Sequence, residues 1–142
     1  MSIVYVNIGS NLGDKKILIE KAIEIISKTF GYYCKSRFVE SDPWGFVSTN
    51  RFLNIGLAFK TDLPPEKVLD TLQEIEQEIS KKNHRDKDGN YADREIDIDI
   101  MAIDNLRIST ERLQVPHPHL LSRDFFYGPL KELAPDWEFP SE

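Results

Sequence analysis

In Arg94-Glu95-Ile96-Asp97-Ile98-Asp99-Ile100-Met101, acidic and apolar residues alternate strictly from Glu95 to Ile100. On a strand, Ile96, Ile98 and Ile100 point to one side and Glu95, Asp97 and Asp99 to the other. Carboxylates two residues apart lie within roughly 7 Å of each other, so they repel, and Asp is a poor strand former. A cation offsets that repulsion. Paired carboxylates without Cys or a dense His set suit Mg²⁺ rather than Zn²⁺, and protein-bound Mg²⁺ is usually shared with substrate phosphates. Arg94, directly before the pair, has the fork to grip a phosphate oxygen. The competing reading is an edge strand whose charges guard against aggregation. His117 and His119 have two-residue metal-ligand spacing, but neither Cys nor a third His accompanies them, so zinc is set aside.

Composition narrows the class. The chain has 142 residues, enough for one domain over residues 1–142 with a proper core. Its 18 Lys plus Arg against 24 Asp plus Glu give a formal net charge of −6, which argues against nucleic acid as the main partner. No apolar run approaches a membrane span and no secretory signal pattern is present, so no membrane partner is expected. One cysteine, Cys34, cannot form an internal disulfide, which fits a reducing cytoplasm. Among Tyr33 and Phe38 it reads as a packed thiol rather than a nucleophile.

The elements that must position the acidic strand follow from periodicity. Ile3 to Ile8 reads as a first strand and Gly9-Ser10-Asn11-Leu12-Gly13-Asp14 as a turn, with Asp14 capping the next helix. Ser10 and Asn11 could meet a phosphate there, but no Gly-Lys-Ser/Thr follows, so a Walker loop is rejected. Helical spacing runs from Ile17 to Phe30, ended by Gly31; Tyr32 to Val39 reads as strand two and Phe52 to Phe59 as strand three. A second helix opens at Leu63-Pro64-Pro65-Glu66, its stripe formed by Val68, Leu69, Leu72, Ile75 and Ile79. The acidic strand is the fourth. Leu106-Arg107-Ile108 reads as a short edge strand and Ser122 to Leu133 as a short helix. This order predicts an α+β, ferredoxin-like (βαββαβ) antiparallel sheet, with two helices on one face, the other face free for ligands, and a C-terminal appendage.

Three further stretches bear on a site. Ser41-Asp42-Pro43-Trp44-Gly45 opens a long aromatic loop of the kind that binds ligands. Asn54, on the strand face of Phe52, reads equally as an Asn bonding backbone and as a ligand contact. Lys81 through Arg94 holds five Lys/Arg against three Asp, either a basic lid over polyphosphate or a solvated loop. Gln73 and Glu76 read as part of a solvated helix face.

Together, Ile8-Gly9-Ser10-Asn11-Leu12-Gly13-Asp14, Phe52-Leu53-Asn54, Arg94 through Ile100, Val115-Pro116-His117 and Arg123-Asp124-Phe125 resemble the 6-hydroxymethyl-7,8-dihydropterin pyrophosphokinases of folate biosynthesis, from Tyr5 to Pro140. The resemblance implies transfer of pyrophosphate from ATP to the pterin's hydroxymethyl group. It makes Asp97 and Asp99 ligands of two Mg²⁺ and Arg94 a catalytic phosphate contact. It turns Gln73 and Glu76 into ATP contacts, joined by Lys81, Arg85, Tyr91, Ile100, Arg112, His117 and Arg123. Asn54, with Ser41, Asp42 and Trp44, would bond the pterin's polar edge, with the ring between Phe52 and Phe125. Departures from the family's pattern are Ser80-Lys81 for Gly-Arg, Tyr91 for Trp and Phe52 for Tyr. A monomer is expected. The alternative, a non-catalytic ferredoxin-like small-ligand-binding module, would need no carboxylate pair opposite a basic loop.

Overall fold

The computed structural model describes residues 1–42, 51–80 and 95–140. In chain order the elements are β1 (Ser2–Ser10), α1 (Lys15–Phe30), β2 (Tyr33–Lys35), β3 (Val39–Ser41), β4 (Phe52–Thr61), α2 (Pro65–Ile79), β5 (Asp97–Ile103), β6 (Ile108–Ser109), β7 (Gln114–Val115) and α3 (Asp124–Leu133). The main sheet runs β2-β4-β1-β5, every neighbouring pair antiparallel, and β3 also pairs with β4. β6 and β7 form a separate ribbon.

Local chemistry explains the helix ends. Asp14 caps α1, its Oδ1 accepting the Ile17 N–H at 3.3 Å. Gly31, at φ 92°, occupies a conformation that a side chain would strain, and it ends the helix. Pro64 and Pro65 stand at the start of α2, where missing N–H groups cost nothing.

Alternation in the strands divides the apolar residues between two faces. Val4, Val6 and Ile8 of β1, Ile55, Leu57 and Phe59 of β4 and Ile98 and Ile100 of β5 pack against Ile19, Ile23 and Ile26 of α1 and Val68, Leu72 and Ile75 of α2. The opposite face is not free along its whole length. Tyr5, Met101 and Ala102 pack there against Phe126 and Leu130 of α3, together with Leu120 and Trp137. Met101 and Ala102 share this face because the register slips between Tyr5 and Val6: Val6 lies opposite Ile100 and Tyr5 opposite Ala102. Gly56 lets α3 come close, since a Cβ there would meet Pro129 Cβ at 2.7 Å. What remains open is the end of that face carrying Asp97 and Asp99.

Three local expectations are corrected. The strand read over 32–39 is two short strands, because Ser36 substitutes its side chain for the ladder: Gly56 N–H donates to Ser36 Oγ at 2.8 Å and Ser36 N–H to the Gly56 carbonyl at 2.9 Å. Next to it, Arg37 N–H donates to the Glu132 carboxylate at 2.6 Å instead of to a strand. Cys34 is exposed rather than packed, because β2 is the sheet's edge; its thiol lies 3.4 Å from the Tyr32 hydroxyl. The edge strand expected at 106–108 is instead Ile108–Ser109, paired with Gln114–Val115 in a ribbon that packs on the core without joining the main sheet.

Candidate active site

The open end of the sheet is built from the residues that alternate with the core. On β1 these are Asn7 and Gly9, on β4 Phe52 and Asn54, on β5 Asp97 and Asp99. Cross-strand register sets them side by side: Gly9 lies opposite Asn54 on one flank and Asp97 on the other, and Asn7 lies opposite Asp99. Gly9 is required by this crowding, since a Cβ there would sit 2.9 Å from Asn54 Oδ1. The turn expected from Gly9 starts later: Gly9 and Ser10 still belong to β1 and pair with Asn54 and Leu53 of β4, and the buried Ser10 hydroxyl donates to the Leu12 carbonyl at 3.3 Å.

Two clefts meet at Asp97 and Asp99. The first is lined by Phe52, Asn54, Asp42 and Phe125 on its far side, with Arg123 beside them. The second is lined by Gln73 and Glu76 of α2, by Ile98 and Ile100, and by Arg112 and Leu113. Asp97, Asp99 and His117 line both. The carboxylate pair and one imidazole therefore form the partition between a cleft edged by aromatic rings and a larger, more polar one.

Asn54 is held by three hydrogen bonds. Its Nδ2 donates to the Val39 carbonyl at 3.2 Å and to Ser41 Oγ at 2.8 Å, while its Oδ1 accepts from Asn7 Nδ2 at 3.3 Å. Asp42 accepts from Arg51 Nε at 3.2 Å. Glu76 is not on a solvated face: it is 7% exposed, and its Oε2 accepts the Ile98 N–H at 2.6 Å, tying α2 to β5 between the two aspartates. Gln73, three residues earlier on that helix, is exposed. Arg112 forms an ion pair with Asp70 at the rim of the second cleft.

His117 is held neutral. Burial pushes its pKa down to about 4, Arg123 and His119 push the same way, and Asp97 opposes them. Its Nδ1 accepts the His119 N–H at 3.0 Å, which assigns the remaining proton to Nε2. Arg123 is buried, its guanidinium carbon 4.8 Å from the Phe126 ring centre and 5.8 Å from that of Phe125.

The structure brings Asp97, Asp99, His117, Asp42, Phe52, Asn54, Arg123 and Phe125 to one cleft, and Gln73, Glu76, Ile100 and Arg112 to the other. Arg123, expected among the nucleotide contacts, lies on the aromatic side of the partition, while Ser41 supports Asn54 from β3. Trp44, Lys81, Arg85, Tyr91, Arg94 and the basic loop before it fall outside the described residues. Asn7 and Gly9, which the sequence does not single out, also line the first cleft. Their signal was the same two-residue alternation, polar or small positions opposite Val6 and Ile8.

The fitness of the site for a metal rests on its donors. Asp97 and Asp99 are hard oxygen ligands, both half-buried on adjacent exits of one strand face. Among the described residues no group of three or more His, Cys, Asp or Glu is placed to hold an ion. Two carboxylates completed by phosphate oxygens and water match Mg²⁺ and do not match Zn²⁺. Among the described residues no helix is long and apolar enough to cross a membrane.

Comparison with known proteins agrees with this arrangement. Residues 5–135 match the family model described as 7,8-dihydro-6-hydroxymethylpterin-pyrophosphokinase. The chain is 39% identical over 142 residues to a 2-amino-4-hydroxy-6-hydroxymethyldihydropteridine pyrophosphokinase of Porphyromonas gingivalis, covering 99% of this chain and 95% of that one. It is 40% identical to the protein of the same name from Aquifex aeolicus, covering 96% and 82%. To that from Bacillus subtilis it is 32% identical, covering 94% and 78%.

Proposed function

The chain belongs to the 7,8-dihydro-6-hydroxymethylpterin-pyrophosphokinase family, and from that premise we propose how its residues divide the work. It is an enzyme of folate biosynthesis that transfers pyrophosphate from ATP to the hydroxymethyl group of 6-hydroxymethyl-7,8-dihydropterin. Its fold is read as ferredoxin-like, one domain over residues 1–142 with the segment after β5 as the appendage; the order β2-β4-β1-β5 supports this.

One observation carries the assignment of sites: two clefts of different character share a partition made of Asp97, Asp99 and His117. The aromatic cleft suits a flat heterocycle. Phe52 and Phe125 offer ring faces, while Ser41, Asp42 and Asn54 offer in-plane polar partners, and Trp44 is proposed to join them. The second cleft suits ATP, with Gln73 and Arg112 at its mouth and Glu76 and Ile100 along its wall. Lys81, Arg85, Tyr91 and Arg94 are proposed to join it, and Arg123 is read as reaching the phosphates from the pterin side.

The reaction joins the hydroxymethyl oxygen to the β-phosphorus, breaks the bond between that phosphorus and the α–β bridging oxygen, and releases AMP and the alcohol's proton. Such transfers need positioning and charge neutralisation more than covalent help from the protein. Asp97 and Asp99 would hold Mg²⁺, two ions in this reading, which would supply charge neutralisation at the phosphates and acidify the alcohol. The partition sets donor and acceptor on its two sides. Glu76 fixes the strand carrying both aspartates by its bond to Ile98 N–H. Neutral His117 presents an Nε2–H to phosphate oxygen without adding a charge the site must bury.

Incubation with ATP, Mg²⁺ and the dihydropterin alcohol tests the assignment by release of AMP. Asp97→Ala and Asp99→Ala are each expected to abolish release while leaving the circular dichroism spectrum unchanged. Full activity in either variant refutes the role of the pair.

A further inference from the structure

We propose that Asn7 is a positioning residue for the pterin: its amide oxygen, on the floor of the aromatic cleft, accepts a hydrogen bond from an N–H or O–H of that substrate. The proposal rests on reading the aromatic cleft as the pterin site.

Asn7 is 3% exposed in the middle of β1, a strand hydrogen-bonded on both sides. Its side chain lines the first cleft between Asn54 and Asp99. The orientation of its amide follows from its neighbours. The Val39 carbonyl can only accept, so the NH₂ of Asn54 must face it, and Asn54 Oδ1 must face Asn7. An oxygen needs a donor, so the NH₂ of Asn7 must face Asn54 Oδ1. That leaves Asn7 Oδ1 on the other side, where among the described residues it has no hydrogen-bond partner.

A buried acceptor without a donor is costly, and Asn is a poor strand residue. Folding accounts for the Nδ2 end through its bond to Asn54 Oδ1, but it does not account for the unpaired Oδ1. We assign the missing donor to the substrate that enters the cleft. Carboxylate oxygens of Asp99 cannot supply it, nor can the oxygens of a triphosphate, which only accept. The pterin carries donors of both kinds, N–H groups along its ring edge and a hydroxyl on the side chain that must reach the carboxylate partition. Asn7 lies at that junction. It holds Asn54 in register with one end of its amide and takes a substrate proton donor with the other.

The test is calorimetric titration of wild type, Asn7→Leu and Asn7→Ala with the dihydropterin alcohol, at saturating non-hydrolysable ATP analogue and Mg²⁺. Both variants are expected to bind the pterin ~10-fold more weakly. Affinity for the ATP analogue, titrated separately, should stay within about twofold, and the thermal midpoint of free Asn7→Leu should stay close to that of wild type, because loss of the unpaired oxygen offsets loss of the Nδ2 donor to Asn54 Oδ1. In turnover, KM for the pterin should rise while kcat changes little. Repeating the titration with the 6-methyl analogue separates the two donors: a retained penalty assigns the ring N–H, and a vanished one assigns the hydroxyl. Unchanged pterin affinity in the variants, or an equal loss of nucleotide affinity, overturns the role of Asn7. Should Asn7→Leu not fold, Asn7→Ala decides by the same criteria. If wild type itself binds no pterin, the assignment of the cleft fails, and the role of Asn7 with it.

Discussion

Acid should destabilise this protein through His117 in a defined window. Folding lowers the imidazole's pKa from 6.5 to about 4, by burial first and by Arg123 and His119 next. The folded state therefore resists a proton that the unfolded chain accepts. Above the unfolded value both states are neutral and the residue contributes no pH dependence. As pH falls below that value, the unfolded chain takes up its proton first and stability drops until the folded pKa is passed. At about 1.4 kcal/mol per unit, the difference amounts to about 2 kcal/mol by pH ~5 and about 3 kcal/mol below pH ~4. A geometric cause stands behind it: protonation of Nδ1 breaks the bond from His119 N–H at 3.0 Å and places a second cation near Arg123. His117→Asn keeps an acceptor near the Nδ1 position and cannot titrate. Urea denaturation of both proteins at pH ~8, ~6.5 and ~5 should show wild type losing about 2 kcal/mol more than the variant over that range. Imidazole resonances followed by NMR should give a midpoint near 4. Parallel stability profiles, or a midpoint at the ordinary histidine value, refute the reasoning.

Glu76→Ala removes the acceptor of a buried charge-assisted bond and strands the Ile98 N–H, so unfolding free energy should fall by about 2 kcal/mol; a loss below about 0.5 kcal/mol in urea denaturation shows that the contact does not hold β5. Gly9→Ala puts a methyl 2.9 Å from Asn54 Oδ1, so calorimetry should show weakened pterin binding with ATP-analogue binding retained, and an unchanged pterin affinity contradicts the crowding.

Much of this site was legible because a strand's period of two is local information. The alternation of Ile96, Ile98 and Ile100 with Asp97 and Asp99 places the carboxylates opposite the core without reference to any other part of the chain. Asp14 and Gly31 act as helix signals for the same reason, each through bonds or dihedrals within its own turn. What escaped was set by partners distant in sequence. Glu76 belongs by spacing to a solvated helix face, and only the backbone of β5, 22 residues on, makes its burial favourable. Ser36 interrupts a strand because Gly56, 20 residues away, accepts and donates in its place. The open sheet face was expected to be free; Gly56 has no side chain there, and α3 closes over the gap that glycine leaves.

The same division separates Asn7, silent in the sequence, from Asp97. Two acids on one strand repel each other whatever surrounds them, so their cost is visible in the sequence. The cost of Asn7 arises only when β1 lies between β4 and β5, Val39 fixes Asn54, and Asn54 fixes Asn7. A polar residue whose penalty appears only after folding is retained at the expense of stability, and in an enzyme the group that relieves such a penalty is the substrate. Binding then adds a bond the free protein lacks, so the pterin's affinity includes relief of an acceptor left unpaired by the fold. On that account, replacing Asn7 by Leu must separate the two quantities, lowering affinity for the pterin while leaving the stability of the free enzyme nearly unchanged, since the relieved oxygen offsets the lost donor to Asn54.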